Sequence, residues 1–338
     1  MKTTMILGAL TAVGLGWGAA SAQTLAEVQE RGELVCGVAP SVPGFAIADS
    51  NGVWQGFDVA MCRAVAAAVL ADPMAITFVP TTEETWAPAL VDGEVDMLAR
   101  NTSWTFSRDV GLPLTFAAVS YYDGQGFMVR REFGAGSALE LDGAAICVQP
   151  GGASERNLAE YFRVNNMEYQ TVGIQSSAEG QQLYIEGECD VFTAEVSGLA
   201  AIRASFGEPE NHAILPEVIS KEPRGPIVHE GDDAWADLVR WVFYALVAAE
   251  EHGVTSANIS ELAQGTSHPE VNRLLGSEED FGEMLGLDNE WAVRAISAGG
   301  NYGEIFSSTI GEQTPIGLAR GLNALWTQGG LHYTPPFR

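Results

Sequence analysis

Residues 52–70 read GVWQGFDVAMCRAVAAAVL, which predicts a glycine-containing turn followed by a helix. Apolar side chains recur there at the spacing of one buried helix face: Val59, Cys62, Val65, Ala66 and Val69. Asp58 stands immediately before this pattern and is expected to cap the helix N-terminus. Short apolar runs on either side, Glu33–Val38 and Ile76–Pro80, predict strands, so the stretch belongs to a strand–helix–strand unit.

The alternation of strands and helices continues outward from this unit. The first series also contains predicted helices at Leu25–Arg31 and Thr85–Asp92 and a strand at Asp96–Ala99. A second series is predicted from strands at Gly124–Arg130, Ala144–Val148, Tyr169–Val172 and Asp190–Thr193 and helices at Ser154–Phe162 and Ala178–Ile185. Because such alternation is typical of mostly parallel sheets covered by helices, we predict an α/β protein.

A strong helix is predicted at Ala234–His252, and a long helical tail is predicted after it. The tail's apolar positions fit packed helices: Trp291, Val293, Ile296, Ile305, Ile316, Leu322 and Leu325. We interpret the tail as structural.

The two series are expected to form two lobes, since 338 residues exceed one typical domain. The pattern L-x-x-G-x-x-D at residues 90–96 is echoed at residues 184–190 with Tyr in place of Leu. We expect residues 23–128 and 225–338 to form lobe 1 and residues 129–224 to form lobe 2.

The N-terminus has the form of a secretory signal peptide over residues 1–22. Lys2 precedes an apolar run at residues 5–17, and Ala20-Ser21-Ala22 is a small-residue cleavage site. The alternative is a transmembrane anchor, which needs about 20 apolar residues, whereas glycines interrupt this run. The sequence therefore predicts an exported, periplasmic protein.

The four cysteines, Cys36, Cys62, Cys147 and Cys189, show no C-x-x-C spacing of a zinc or redox site. In an oxidising compartment they are expected to form disulfides, although four buried thiols are the alternative and three connectivities are possible. We favour Cys36 with Cys62 and Cys147 with Cys189, because each pair brackets one local stretch and would link one lobe.

The formal charge of −27, from 17 basic and 44 acidic residues, argues against nucleic acid or an anionic membrane surface as a partner. The five histidines show no metal spacing, and no G-x-S-x-G nucleophile motif occurs. A hydrolase is therefore not expected, and no cofactor or metal is predicted.

Several motifs resemble those of a known family, the amino-acid-binding periplasmic proteins of ABC importers. They are GFDVAM at residues 56–61, GEVD at residues 93–96 and Thr105-x-x-Arg108. RNTSWT at residues 100–105, YYDGQGFMVR at residues 121–130 and LPEVISKEP at residues 215–223 are similar to the general L-amino-acid-binding branch. The resemblance covers the mature chain. It implies a type II two-lobed fold with a two-strand hinge, a small-molecule ligand, a membrane permease as partner and a monomeric state.

Arg108 is the candidate for binding a ligand carboxylate, because a guanidinium fork makes two charge-assisted hydrogen bonds to that group. It follows a predicted strand end, where open α/β sheets bind ligands. Asn101, Ser103 and Thr105 are expected to add donors. The alternative for Arg108 is a surface ion pair with Asp109.

In lobe 2, the segment between a predicted strand and helix (QPGGAS, residues 149–154) offers backbone N–H groups to an anion. Gly152 and Ala153 stand where the family usually has hydroxyl residues, and Ser154 is either a substitute donor or a plain helix cap. Glu195 stands where the family usually has an aspartate for the ligand ammonium. The alternative for Glu195 is an ordinary acid at a helix start.

Three aromatic residues, Phe45, Trp86 and Trp104, are predicted as pocket walls, with Trp86 able to stack on an apolar or cationic ligand side chain. Each has a plain alternative as a core aromatic residue.

The function predicted from these residues is capture of an amino acid or related molecule between two lobes. The lobes are expected to close about strands near Gly126–Arg130 and Ile219–Ile227. One alternative is a periplasmic enzyme on the same scaffold, of the prephenate or arogenate dehydratase type, with Glu195 as general acid. Another is a sensory or partner-presenting domain.

Overall fold

The computed structural model describes residues 23–40 and 42–338. The predicted signal peptide, residues 1–22, lies outside the described residues. Among the helices of the described part, none is both long enough and apolar enough to span a membrane.

Strands and helices alternate through the first two thirds of the chain. The strands are β1 (Leu34–Val38), β2 (Ile47–Ala48), β3 (Trp54–Gln55), β4 (Ile76–Pro80), β5 (Met97–Leu98), β6 (Leu114–Phe116), β7 (Tyr121–Asp123), β8 (Gln125–Arg130), β9 (Ala145–Val148), β10 (Gln170–Gly173), β11 (Val191–Glu195), β12 (His212–Ile214), β13 (Glu222–Arg224) and β14 (Ile227–His229). The helices are α1 (Gln23–Arg31), α2 (Phe57–Leu70), α3 (Trp86–Val91), α4 (Phe106–Gly111), α5 (Ala153–Val164), α6 (Ser177–Glu186), α7 (Val196–Ala204), α8 (Asp233–Glu251), α9 (Ile259–Leu262), α10 (Pro269–Leu274), α11 (Phe281–Met284), α12 (Trp291–Gly299) and α13 (Tyr302–Thr309).

Two five-stranded sheets share one topology. The first has the order β4-β1-β5-β14-β6 and the second the order β10-β9-β11-β8-β12. In each, the first three strands are parallel and the last two run antiparallel to their neighbours. The predicted α/β class, with mostly parallel sheets flanked by helices, is therefore confirmed.

Each sheet carries an apolar core on both of its faces. In the second sheet, Phe127 and Ile146 belong to one buried cluster, whereas their neighbours Met128 and Cys147 belong to the other. This alternation follows from the two-residue period of a strand. Helices must cover both faces, which explains why these strands are nearly continuous apolar runs.

The chain crosses between the sheets through β7 and β13, which pair antiparallel outside both sheets. The hinge prediction is therefore corrected for its first strand, because Gly126–Arg130 lies within β8 of the second sheet. Its apolar side chains are fully buried in that sheet's cores. The segments next to the crossing strands approach closely at Gly225, where a Cβ atom would lie 1.8 Å from Ala118 O. The boundaries of the lobes stay a prediction.

The four cysteines pair as Cys36–Cys62 and Cys147–Cys189, with Cα–Cα distances of 6.3 and 5.7 Å. The favoured connectivity is confirmed. Each disulfide joins the second strand of one sheet, β1 or β9, to a segment packed beside it. Each lobe is therefore covalently cross-linked within itself.

Replacing Cys147 and Cys189 together by serine is expected to lower the free energy of unfolding by about 2–5 kcal/mol, because the disulfide restricts the unfolded chain. Urea denaturation of the mature chain measures the change. Wild-type protein unfolded in reductant serves as the control, and its midpoint should also fall. Equal midpoints for the variant and the oxidised wild type would contradict the expected role.

The start of α2 differs from the prediction, because Gly56 and not Asp58 is the N-cap. The Gly56 φ of 130° places it in the region that favours glycine, and a Cβ atom there would lie 2.2 Å from Phe45 O. Asp58 falls inside the first turn and is 6% exposed, with no hydrogen-bond partner for Oδ2.

The C-terminal extension packs on lobe 1 but is helical only in part. Helix α12 lies against α2, where Arg294 donates hydrogen bonds to the carbonyl oxygens of Ala67 (3.2 Å) and Ala68 (3.0 Å) at the end of α2. After α13 the chain forms short 3₁₀ turns and isolated β-bridges in place of α-helices. The prediction that Ile316, Leu322 and Leu325 lie on packed helices is therefore wrong. Ile316 and Leu325 are buried in the lobe 1 core without helical structure, whereas Leu322 is exposed.

Candidate ligand-binding cleft

Arg108 lies on the short helix α4, and the T-x-x-R motif is the start of that helix. Thr105 is the N-cap, and its Oγ1 accepts a hydrogen bond from Arg108 N at 3.4 Å. The motif therefore has a local structural reason, since threonine satisfies an amide at a helix start. The hydroxyl of Thr105 serves this cap.

The Arg108 guanidinium is oriented by contacts within lobe 1. Its Nη1 donates to Ser103 O at 3.0 Å, and its Nη2 lies 3.7 Å from Glu83 Oε2. The Arg108 side chain is 31% exposed, so part of the guanidinium fork is open to a ligand. The alternative interpretation, a surface ion pair with Asp109, does not occur among the described contacts of Arg108.

Trp86 provides the surface on which Arg108 rests. The ring is 4% exposed, and the guanidinium carbons of Arg100 and Arg108 lie 5.6 and 5.8 Å from ring centroids. Glu83 also pairs with Arg100 at 3.0 Å. Trp86 thus stacks on two arginines of its own chain. Cation–π contacts of this kind help to hold the charged guanidinium groups in place.

The segment from Asn101 to Trp104 is held against hinge strand β13. Trp104 N donates to Pro223 O at 2.7 Å, and the Ser103 hydroxyl donates to the Glu222 carboxylate. Asn101 adopts a φ of 61°, a left-handed conformation that asparagine tolerates better than most residues. The Ser103 side chain is thus engaged with the hinge, and an Asn101 or Ser103 contact to ligand stays a prediction.

Arg224 of β13 links the Arg108 segment to the second sheet. It is 6% exposed, donates to Asn101 Oδ1 and pairs with Asp123 Oδ2 at 3.0 Å. It also donates to Ser197 Oγ, at 3.2 Å, in the first turn of α7. The Ser197 hydroxyl in turn donates to Asp123. One buried network therefore joins lobe 1, both hinge strands and the helix that follows Glu195.

A buried acid lies close to this network. Burial raises the pKa of Asp58 to about 7, and the positive charges of Arg224 and Arg100 oppose that rise. The protein therefore holds, within the electrostatic reach of Arg100 and Arg224, a buried carboxyl group whose pKa is raised toward neutral pH.

The candidate residues of the second sheet meet at Gln125. Glu195 ends β11 directly opposite Gln125 of β8 and is half-buried. The Gln125 side-chain amide donates to Ser154 O (3.0 Å) and to Thr193 Oγ1 (3.0 Å). The start of α5 and the end of β11 are thus held together beside the hinge.

Helix α5 begins at Ala153, with Gly152 as N-cap and no side-chain cap bond. Ser154 lies inside the helix, so the alternative that it caps the helix is wrong, and its role as a donor stays a prediction. The first N–H groups of a helix have no partner within it, which leaves the Gly152 and Ala153 region able to bind an anion. Gly151 N already donates to Glu155 Oε2 at 2.7 Å.

Phe45 and Trp104 pack as core aromatic residues in this structure, which was the alternative to their predicted role as pocket walls. Phe45 is 1% exposed and packs edge-on against Tyr121 and Phe57. Trp104 stacks on Phe116 with centroids 5.0 Å apart, on the side of the segment that faces the C-terminal extension. In this conformation both rings serve lobe 1 packing.

Arg224, Gln125 and Arg100 are functional candidates that sequence reasoning missed. Each is a long polar side chain that is at most 6% exposed. The sequence did contain a signal for them, because Arg100, Gln125 and residues 222–223 of the hinge all fall in motifs that resemble those of the family.

In the described part of the chain, no three acidic, histidine or cysteine side chains are grouped to hold a metal ion.

This pairing of two like sheets around a two-strand hinge, with an arginine at one strand end, defines a class of binding protein. A model of the bacterial extracellular solute-binding proteins, family 3, matches residues 34–257. The chain belongs to that family. The predicted class, an exported periplasmic solute-binding protein, is thereby confirmed.

Relatives with similar sequences span the full chain. The chain is 58% identical, over 100% of both chains, to the glutamate/glutamine/aspartate/asparagine-binding protein BztA of Rhodobacter capsulatus. It is 49% identical, again over 100% of both, to the general L-amino acid-binding periplasmic protein AapJ of Rhizobium johnstonii. A solved periplasmic binding protein of an ABC transporter from Brucella ovis, with glutathione bound, is 48% identical with a TM-score of 0.84, covering 93% of this chain and 99% of that one.

Proposed function

We propose that this chain captures an L-amino acid, or a small molecule carrying an amino-acid head group, between its lobes and delivers it to a membrane ABC importer. The observation that carries the proposal is Arg108, whose guanidinium is oriented by Ser103 O and Trp86 yet stays 31% exposed. A planar carboxylate is the group that this fork binds with two charge-assisted hydrogen bonds.

The ligand's ammonium is assigned to Glu195, which is half-buried beside Gln125. A glutamate reaches farther than the aspartate usual in the family, so the ammonium would sit farther from β11. The backbone N–H groups at Gly152 and Ala153 would meet the carboxylate from lobe 2 as the lobes close.

The ligand class is narrowed by what the relatives bind. BztA is named for glutamate, glutamine, aspartate and asparagine, AapJ for L-amino acids in general, and the Brucella ovis protein contains glutathione. These ligands share an α-amino-acid head group, and most extend it with an acid or amide. We propose this class for the present chain.

We further propose that each five-stranded sheet with its helices forms one lobe, with the crossings at β7 and β13, that the chain acts as a monomer, and that it catalyses no reaction. The relatives are binding proteins, and nothing in the comparisons favours a dehydratase. A permease would recognise the closed form, which differs in shape from the open one.

A thermal-shift screen of mature residues 23–338 tests the proposal. The panel contains the common amino acids, glutathione, quaternary amines and prephenate. A ligand at 100 times its Kd is expected to stabilise the native state by about 2.7 kcal/mol and so raise the melting temperature. If no amino acid or derivative shifts the transition while prephenate is consumed, the binding function is wrong.

A further inference from the structure

The C-terminal extension contacts a hinge strand directly. Tyr122 N donates to Asn323 Oδ1 at 2.7 Å, and Asn323 Nδ2 donates to Tyr122 O at 3.0 Å. Tyr122 is the middle residue of β7, whose other edge pairs with β13. Asn323 therefore occupies the position that a third hinge strand would take.

Asn323 is itself held firmly to lobe 1. Its backbone carbonyl accepts hydrogen bonds from Arg320 Nε (3.0 Å) and Nη2 (2.9 Å). The same guanidinium pairs with both carboxylate oxygens of Glu250 on α8, at 2.9 and 3.0 Å. Asn323 is 4% exposed, so its hydrogen bonds with the hinge strand are partly shielded from water.

The same extension also reaches the other lobe. Arg203, near the end of α7, donates from Nη2 to Ile316 O at 3.0 Å. Ile316 is buried in the lobe 1 core, and a Cβ atom on Gly44 of the first loop would lie 2.9 Å from its side chain. Residues 309–316 thus lie between the first loop of lobe 1 and α7, beside a groove of about 500 Å³.

We propose that Asn323 and Arg203 are positioning residues for lobe movement, and that extension residues 309–323 form a third connection which sets the balance between open and closed forms. Two hinge strands alone permit rotation of one lobe against the other about the hinge. The Asn323 bonds restrict β7, and the Arg203 bond restricts α7. The extension lies mostly beyond residue 257, where the family match ends, so this device is added to the common two-lobed scaffold.

The test measures the distance between lobes in the ligand-free protein. Spin labels are attached through Glu94→Cys and Glu160→Cys, exposed positions on the two lobes. Asn323→Ala removes both hydrogen bonds with the hinge strand. It is expected to change the ratio of the open to the closed population, measured by the interlobe distance, by roughly five-fold. Asn323→Asp keeps the acceptor for Tyr122 N but places a carboxylate oxygen against Tyr122 O, so it should not restore the wild-type ratio.

A matched control comes from Asn272 in the same extension. Its side chain makes the same two-way pairing with a backbone, accepting from Thr266 N at 2.8 Å and donating to Thr266 O at 2.9 Å. Asn272 is 9% exposed and lies on α10, and its side chain bonds with Thr266 and Glu278, which are not hinge residues. Asn272→Ala should lower the melting temperature much as Asn323→Ala does, without altering the interlobe distances.

If Asn323→Ala fails to fold, Arg203→Met provides the same readout, because it removes the α7 contact at a partly buried position. Distances unchanged in both Asn323→Ala and Arg203→Met would overturn the proposal. The inference depends on the proposed function only in treating lobe closure as the response to ligand. Because the distances are measured without ligand, a chain that binds no amino acid would refute the function and leave this test valid.

Discussion

Arg108→Ala is expected to raise the dissociation constant for the amino-acid ligand by about 100-fold or more, because it removes two charge-assisted hydrogen bonds to a carboxylate. The ligand-free protein should keep a melting temperature near that of the wild type. The guanidinium contacts Ser103 O, Glu83 and the face of Trp86, so the truncation removes polar and cation–π interactions and leaves the apolar cores filled. Titration calorimetry and thermal unfolding measure the two effects.

Two further variants separate geometry from charge. Arg108→Lys keeps the positive charge but lacks the planar fork, so its affinity should fall between those of the wild type and the alanine variant. Arg163→Ala removes an arginine whose side chain is 74% exposed and should bind ligand as the wild type does. Retained affinity in Arg108→Ala would show that the carboxylate is bound elsewhere.

The wild type is expected to lose stability as the pH rises from about 4 to about 7, and Asp58→Asn is expected to abolish this loss. Burial raises the pKa of this carboxyl from its ordinary value of 3.8 to about 7. The folded state therefore binds more protons than the unfolded state in that window, and the free energy of unfolding falls as pH rises. A shift of this size corresponds to roughly 4 kcal/mol at most.

The measurement is urea denaturation at pH 4 and pH 8. Asparagine stays uncharged beside Arg100 and Arg224, so the difference in unfolding free energy between variant and wild type should favour the variant more at pH 8. Asp92→Asn removes the same charge from an exposed helix end and is the control. If the wild type and Asp58→Asn depend equally on pH, Asp58 is not the titrating group.

The regular elements were predictable because their physics is local. The apolar spacing in Val59–Leu70 and the strand at Ile76–Pro80 give the first unit almost to the residue. The cysteine pairs were predicted because each connects segments of one α/β series. The start of α4 was not predicted, although its Thr105 cap is a local signal of four residues.

What escaped prediction depends on contacts between distant segments. Asn323 meets Tyr122 across 201 residues, and Arg224 meets Asn101 across 123. No periodicity encodes such polar pairs. Asp58 looked like a helix cap because its spacing fits one, but the closeness of Gly56 to Phe45 O moved the cap and buried the carboxyl. Trp86 looked available to a ligand because Arg100, fourteen residues later, could not be placed on its ring.

Titration of the mature protein with L-glutamate, L-glutamine and glutathione is the decisive test of ligand capture in the cleft. We predict saturable binding of at least one of them with one molecule per chain, and loss of that binding in Arg108→Ala. The absence of heat or saturation with these ligands and with the remaining amino acids would contradict amino-acid capture. Equal binding by the wild type and Arg108→Ala would place the ligand outside the cleft at Arg108.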